Sequence, residues 1–274
     1  MAPQDFLPGL AEWVHGLDSV FPGKQVKPWF AEWEVGHILS LIVLGGTSIL
    51  LNLRLLGVGL TDEPASELNR NLRGWTIAGV VGIVATGLLI GSANAERLYT
   101  SEAFAAKMVG LLAGIILTFS VTLPATRRDG ELGPIARAAA VVGLAVFAVA
   151  IWMFAAAKLA NPGLWHVIFA GALIVLFAAR GLTRIVYLGG LAVLLAVQQV
   201  MTNVVYRWDD YAHLDPTNKA FAWVFTAWII AVAIVQAVAT GRGRESGPFV
   251  KAMAFAAILV WVMTAAAGRW LAFA

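Results

Sequence analysis

The sequence contains no cysteine, and only 13% of its residues are charged. The missing thiols exclude disulfide bonds, thiolate metal sites and the covalent attachment of c-type haem. The low charge excludes an ordinary soluble domain, in which about a quarter of the residues are charged. Long polar segments are scarce too, since only 57–73 and 206–218 are sizeable beyond the N-terminal segment. We therefore expect any chemistry to take place in or at a membrane.

Hydrophobic residues make up 60% of the chain, and its mean hydropathy is +0.80. The apolar runs are continuous and rich in Ala, Leu and Gly, whereas the strands of a membrane barrel alternate polar and apolar residues. A helix needs about 20 apolar residues to cross the hydrocarbon. The sequence thus predicts an all-α, polytopic transmembrane helical bundle in the lipid bilayer, with about eight spans at 31–53, 75–95, 104–124, 135–157, 163–181, 185–205, 219–239 and 249–271.

One polar loop recurs along the chain. The stretch ATRRDGELGPIARA at 125–138 returns as ATGRGRESGPFVKA at 239–252, with seven identities in fourteen positions. This match predicts a tandem repeat of four helices, organised as an outer amphipathic lead-in at 1–29, a first repeat at 30–158 and a second at 159–274. A duplicated membrane bundle tends to place its functional site between its halves.

The basic residues are unevenly divided between the two predicted faces. One face carries eleven basic and six acidic residues, a net charge of +5, and the other carries eight basic and ten acidic, a net charge of −2. Because Arg and Lys are retained on the cytoplasmic side, we expect a bacterial inner (cytoplasmic) membrane protein with both termini in the periplasm. The basic character is thus a topology signal, and we expect no nucleic-acid partner.

The four histidines all fall on the predicted outer side. His37 and His166 lie near the start of the first and fifth spans, which are the first helices of the two repeats. Facing imidazoles at similar depth are what a bis-histidine b-type haem requires. We therefore predict His37 and His166 as ligands of haem b. Structural or hydrogen-bonding roles remain open, because a histidine is comfortable near the end of a spanning helix without any ligand.

Two smaller metal sites are open as alternatives. Glu34 precedes His37 by one turn of helix, and His213 lies among three aspartates of the outer loop, at positions 209, 210 and 215. Imidazole and carboxylate together suit zinc, iron or copper(II). A loop rich in aspartate is more often simply solvated.

Three polar residues inside other spans are candidates for cofactor binding. Lys107 could pair with a haem propionate or an anionic substrate, although snorkelling to the surface is the default for a lysine near a helix end. Gln199 and Asn203 form a polar stripe with Gln198 and Thr202, which could hold a quinone head group or a haem propionate, or could join helices by hydrogen bonds.

The first half of the chain contains the pattern W-E-x-x-H at 33–37, the turn N-L-R-L-L-G at 52–57 and the segments 68–90 and 92–110. In these features it resembles a family of uncharacterised bacterial integral-membrane proteins. In that family a carboxylate and a histidine in the first helix, this turn, and a lysine after an aromatic residue in the third helix recur. The matching positions here are Glu34, His37, Asn52, Arg54, Phe104 and Lys107. The four-helix layout of the family is also similar to that of membrane b-type cytochromes.

Two classes of function are compatible with these features. We expect a membrane b-type cytochrome or electron-transfer subunit, with its haem near the outer face between the repeats and a periplasmic electron-transfer partner or quinone. The alternative is a non-redox accessory subunit of a larger membrane complex, or a transporter of small solutes or metals.

Overall fold

The computed structural model describes residues 1–157, 161–207, 209–239 and 246–271, without the side chains of 161–163 and 211. Every regular element in these ranges is a helix, and none is a strand. The predicted all-α class is confirmed. The predicted boundary between the repeats, at 158–159, lies outside the described residues.

Eight long helices account for most of the described chain. Two of them, α3 and α6, end in a π-helical segment, and α3 then resumes as a short α-helix. The helices are α1 (Phe30–Leu56), α2 (Ala65–Ala93), α3 (Glu102–Leu117, with Thr118–Thr122 and Leu123–Arg127), α4 (Pro134–Ala156), α5 (Asn161–Ala178), α6 (Gly181–Val200, with Met201–Val205), α7 (Tyr211–Ala239) and α8 (Pro248–Trp270).

Within the described residues, seven helices are long and apolar enough to cross a membrane. The chain is therefore a membrane protein. The eighth helix, α5, is apolar from Leu164 to Ala178 among the residues whose side chains are described. The expected count of eight spans is not confirmed.

Glycines allow α1 and α2 to pack closely in antiparallel orientation. The backbone of Gly79 lies against Leu44, where an added Cβ would meet the Leu44 nitrogen at 2.7 Å. One turn further on, Gly82 lies against Ser40, 2.5 Å from its Oγ by the same measure. Close backbone approach is the usual basis of helix association in lipid, where apolar contacts bring no gain over the lipid itself.

The centre of the bundle is formed by α3 and α8. In an apolar stretch of 18 residues in each helix, 56% of the residues of α3 and 67% of those of α8 are buried inside the protein. Gly114 leaves room for the indole of Trp261, and Gly110 leaves room for Met263 and Thr264. The helix α6 is the least buried, with only 6% of its corresponding 18-residue stretch inside the protein. Its Tyr187 anchors it, since the phenol donates to the Ala172 carbonyl of α5 at 2.8 Å.

Polar side chains bond to one another where α1, α2 and α3 approach their arginine-bearing loops. Asn52 Nδ2 donates to Thr122 Oγ1 at 3.0 Å, and Asn69 Nδ2 donates to Thr126 Oγ1 at 2.6 Å. All four residues are buried. We call this end of the bundle, which carries Arg54, Arg73, Arg127, Arg128, Arg180 and Arg184, the arginine-rich end. The opposite end, where His37 and His166 lie, is the histidine end.

The two copies of the repeated loop lead into helices of the same kind. Gly133 and Gly247 are the N-caps of α4 and α8, with φ and ψ of −72° and 166°, and −65° and 164°. Each is followed by a proline at the first helical position, where the missing N–H costs nothing. The Gly-Pro helix starts are thus present at both sites. Residues 240–245 of the second copy lie outside the described residues, and the four-helix repeat remains a prediction.

Residues 1–29 form short helices that touch the loops at the histidine end. The N-terminal amine contacts Glu102 at 2.5 Å, and Tyr99 Oη donates to the Leu7 carbonyl at 2.5 Å. Lys27 Nζ donates to Asp18 at 2.7 Å, and this bond holds the pKa of the Asp18 carboxyl below its ordinary value. The N-terminal segment therefore covers part of this end.

The contact between α1 and α2 can be tested with two glycine substitutions in the same helix. Gly79→Ala should lower the free energy of unfolding by about 1–3 kcal/mol, because its methyl group would overlap the backbone of Leu44. Gly74→Ala is the matched control, since nothing lies within 4 Å of the added Cβ. It should be neutral or stabilising by up to about 1 kcal/mol. Thermal unfolding in detergent measures both, and equal effects would contradict this packing.

Candidate functional site

His37 is placed by the close contact of α1 and α2. The residue lies two turns into α1, half-buried, and its ring faces α2. Gly87 of α2 makes this possible, because a Cβ there would stand 3.3 Å from His37 Cε1. One residue earlier, Thr86 Oγ1 is 2.9 Å from His37 Nδ1. The neighbouring helix therefore fixes the orientation of the imidazole.

The same contact sets the tautomer of the ring. The Thr86 hydroxyl donates its proton to the Gly82 carbonyl at 2.6 Å. A hydroxyl has a single proton to donate, so Thr86 Oγ1 accepts from His37 Nδ1–H. In the neutral imidazole, Nε2 is then unprotonated and presents a lone pair. An imidazole held through one nitrogen in this way is prepared to bind a ligand through the other.

Lys107 is the nearest polar group to that lone pair. Its Nζ is 3.5 Å from His37 Nε2. The lysine lies near the start of α3, a helix capped by Ser101 Oγ, which accepts from the Phe104 amide. Its side chain passes along Gly268 of α8, where an added Cβ would stand 3.4 Å from Lys107 Cε. Four helices therefore contribute to the site.

Glu34 provides the nearest carboxylate. It lies one turn before His37, is exposed, and is close enough to act electrostatically on Lys107. Among the described residues, no carboxylate lies within ion-pair distance of Lys107. The site thus holds an ammonium group beside an unprotonated imidazole nitrogen, with a negative charge at its edge.

His166 lies at the same end of the bundle and contacts the same helix. Its ring meets Trp270 edge to face, with 5.7 Å between ring centroids. Trp270 is two residues beyond Gly268, which packs on Lys107. Both predicted haem ligands therefore lie near the last turn of α8. His166 is the more exposed of the two.

Gln199 and Asn203 lie elsewhere, on α6, which packs chiefly on α7. Both are exposed. Asn203 Nδ2 donates to the Gln199 carbonyl at 3.1 Å and to Thr202 Oγ1 at 3.1 Å. The stripe predicted from the sequence is present, but its observed bonds stay within one helix.

The described residues contain no group of three or more carboxylates and histidines that could hold a metal ion. The acidic outer loop is divided among separate pairs instead. His213 Nδ1 bonds to Asp210 at 2.8 Å, and Lys219 bonds to Asp215 at 2.7 Å. These contacts favour a solvated loop over a metal site built from His213.

A cavity of about 800 Å³ lies between α4, α5, α7 and α8. Its walls are almost entirely apolar, and its polar lining includes Gln236 and Lys251 near the arginine-rich end. Neither His37 nor His166 borders it. The cavity is suited to an apolar tail, whereas the polar chemistry is concentrated at the histidine end.

Sequence reasoning missed several residues that shape the site. Thr86, Gly87, Gly268 and Trp270 carry no motif, and they become significant only when the helices are in register. A weak signal was available for Thr86, because it is a hydroxyl residue inside an otherwise apolar span. Nothing in the sequence pairs it with His37.

These features define a polytopic, all-helical membrane protein with a histidine and lysine site near one membrane face. The chain belongs to a family of unknown function, DUF6644, whose model matches residues 12–169. The match includes His37, Thr86, Lys107 and His166, and it confirms the expected membership of an uncharacterised family. No curated protein and no solved structure matches the chain.

The tautomer of His37 can be tested by removing its partner. In the parent protein, nitrogen NMR of samples labelled at histidine should show His37 with Nδ1 protonated and Nε2 unprotonated. Thr86→Val keeps the side-chain shape but removes the acceptor, so the ring should become a mixture of tautomers. Thr76→Val is the control on the same helix, because Thr76 bonds only to the Leu72 carbonyl. A parent protein that already carries its proton on Nε2 would contradict the assignment.

Proposed function

We propose that the protein is a membrane-embedded electron-transfer subunit similar to b-type cytochromes, with haem b bound at the histidine end. The observation that carries the proposal is the geometry of His37. Its Nδ1 is held by Thr86, and its Nε2 is turned away from α2 toward Lys107. An axial histidine needs this arrangement, because the second hydrogen bond fixes the ring and leaves the other nitrogen for iron.

The surrounding residues fit such a group. Lys107 is a cation beside the ligand nitrogen, and it would hold a carboxylate such as a haem propionate. Its side chain is long and flexible, so the ammonium can leave Nε2 without a change in the backbone. The haem would supply reversible one-electron transfer, and the protein would set its potential through the axial ligands and their hydrogen bonds.

His166 is the second proposed ligand. It reaches the histidine end from α5, and its contact with Trp270 places it near the same turn of α8 that packs on Lys107. A haem held by His37 and His166 would join the two predicted repeats. The edge-to-face contact with Trp270 limits the orientations open to the ring.

We place quinone or a periplasmic protein as the electron partner. The apolar cavity of about 800 Å³ supports a quinone, because its walls can take an isoprenoid tail. Gln236 and Lys251 in its lining supply polar groups of the kind that bind a quinone head. Gln199 and Asn203 are the second candidates for this role, as amide groups inside a span.

The proposed location is a bacterial inner membrane with both termini in the periplasm. The support is the clustering of arginines at one end of the bundle and of all four histidines toward the other. Basic residues are retained on the cytoplasmic side, so the arginine-rich end faces the cytoplasm. The haem site would then face the periplasm.

A non-redox accessory subunit is the second candidate, and one observation favours it. Only 6% of the 18-residue apolar stretch of α6 is buried, and the amide side chains of Gln199 and Asn203 are exposed on this helix. Amides in hydrocarbon are stabilised by partners on other helices. A neighbouring subunit of a larger complex would cover this surface.

The haem assignment is tested by spectroscopy of the purified protein. Reduction with dithionite should give the sharp α band of low-spin b-type haem, with one haem per chain in a pyridine haemochrome assay. His37→Ala and His166→Ala should each abolish that band, because low-spin iron needs both axial nitrogens. His213→Ala, which removes a histidine from the outer loop, should leave the spectrum unchanged.

The outcomes separate the two candidates. If both histidine variants keep the haem of the parent, the ligand assignment is wrong. If the parent is colourless when purified from haem-replete cells, the redox proposal fails. The accessory-subunit candidate then stands, and it predicts that the chain is isolated from mild detergent together with other membrane proteins.

The topology can be tested without background labelling, because the chain has no cysteine. Gln4→Cys and Glu131→Cys introduce one thiol each, at exposed positions near the histidine end and the arginine-rich end. In intact spheroplasts, a membrane-impermeant maleimide should label Gln4→Cys, whereas Glu131→Cys should react only after lysis. The reverse pattern would invert the proposed orientation.

A further inference from the structure

A second cavity, of about 950 Å³, opens between α2, α3 and α4 at the arginine-rich end. Three arginines border it: Arg73 from α2, and Arg127 and Arg128 from the end of α3. All three are exposed. They form no ion pair among the described residues. A net charge of +3 therefore faces one cavity, and no carboxylate of the described residues forms an ion pair with it.

The carboxylates of this end that the structure describes are engaged elsewhere or lie outside the lining. Glu67 accepts from Arg70 at 2.9 Å, and Asp129 accepts from the Ser66 amide at 2.8 Å. Glu131 is exposed and does not border the cavity. The cavity thus keeps its positive charge.

The start of α4 adds backbone donors to the same cavity. Its N-cap, Gly133, has no side chain to cap the first turn, and Pro134 follows it. The amides of Ile135 and Ala136, which both line the cavity, precede the first intrahelical bond, from the Arg137 amide to the Gly133 carbonyl at 3.0 Å. Free amides and the helix dipole make such a terminus suited to an anion.

Ser120 contributes a buried polar side chain to the wall of this cavity. It lies in the π-helical segment of α3, is 7% exposed, and borders the cavity. Its Oγ has no hydrogen-bond partner in the described structure. A buried hydroxyl without a partner is costly, so this wall of the cavity holds one unsatisfied polar group.

The remaining wall is apolar and continues into the membrane. Ile77 lies one turn beyond Arg73, and Phe119 and Ile116 lie two and three turns before Arg127. Phe119 is 46% exposed. Eleven residues of helix span about 16 Å, which is comparable to much of one acyl chain. A free anion would use only the cationic end of this surface.

We infer that this cavity binds an acidic phospholipid, with its phosphate between the three arginines and the start of α4, and its acyl chains along Ile77, Ile116 and Phe119. Guanidinium groups bind phosphate oxygens in bidentate fashion. Basic pockets between spanning helices are also where acidic head groups bind on the cytoplasmic side. The inference does not depend on haem, because the site lies at the opposite end of the bundle.

Native mass spectrometry of the full chain in detergent tests the inference. Dioleoyl phosphatidylglycerol should bind in a one-to-one complex, and dioleoyl phosphatidylcholine should bind about tenfold more weakly, since its choline opposes the arginines. Arg73→Gln, Arg127→Gln and Arg128→Gln should each weaken phosphatidylglycerol binding about tenfold, as expected for the loss of one charged hydrogen-bond donor. Arg184→Gln is the control, because Arg184 is exposed at the same end but outside the cavity.

Three results would overturn the inference. Equal binding of both lipids would remove the role of the arginines. Equal weakening by Arg184→Gln would show a general charge effect instead of a site. Full displacement of the lipid by millimolar inorganic phosphate would make the cavity an anion site without a lipid. All the variants alter exposed side chains, so each should elute as the parent does in size-exclusion chromatography, and this elution is checked first.

Discussion

Close approach between helix backbones is the constraint on which the structure depends. In lipid, apolar side chains gain little by leaving the hydrocarbon, so helices associate through tight packing and hydrogen bonds. Gly79 and Gly82 bring α2 onto α1, and that contact alone places Thr86 within 2.9 Å of His37. Gly268 does the same for α8 and Lys107. The arrangement of His37, Thr86 and Lys107 at the histidine end therefore depends on these glycine positions.

The polar residues are divided between the two ends of the bundle, and each end solves a different problem. At the arginine-rich end, Asn52 and Thr122 form a hydrogen bond to each other inside the protein, and this bond joins α1 to α3. At the histidine end, the Thr86 hydroxyl donates to the Gly82 carbonyl of its own helix and accepts from His37 Nδ1–H, which orients the ring and leaves Nε2 unprotonated. In the first arrangement the polar groups bond to each other, whereas the second leaves Nε2 of His37 as an acceptor for a ligand. This difference is the reason for proposing a ligand site at the histidine end.

The sequence predicts some of this better than the rest. Continuous apolar runs are sufficient for the all-helical membrane class, and the segments around Glu34, His37 and Lys107 are sufficient for the family. Spacing along one helix also gives the one-turn relation of Glu34 to His37. Spacing along one helix does not give the register between helices, and for this reason the roles of Thr86 and Gly268 were not predicted.

Lys107 links the geometry to the proposed ligand most directly. An ammonium group that is partly withdrawn from water is stabilised by an anion, and in lipid such a charge usually has a paired partner. Here its closest polar contact is a neutral imidazole nitrogen at 3.5 Å, while Glu34 remains exposed and beyond ion-pair distance. A ligand that brings a carboxylate beside a group binding Nε2 would satisfy both His37 and Lys107 together. Haem combines the two, since its iron takes an imidazole and its propionates take a cation.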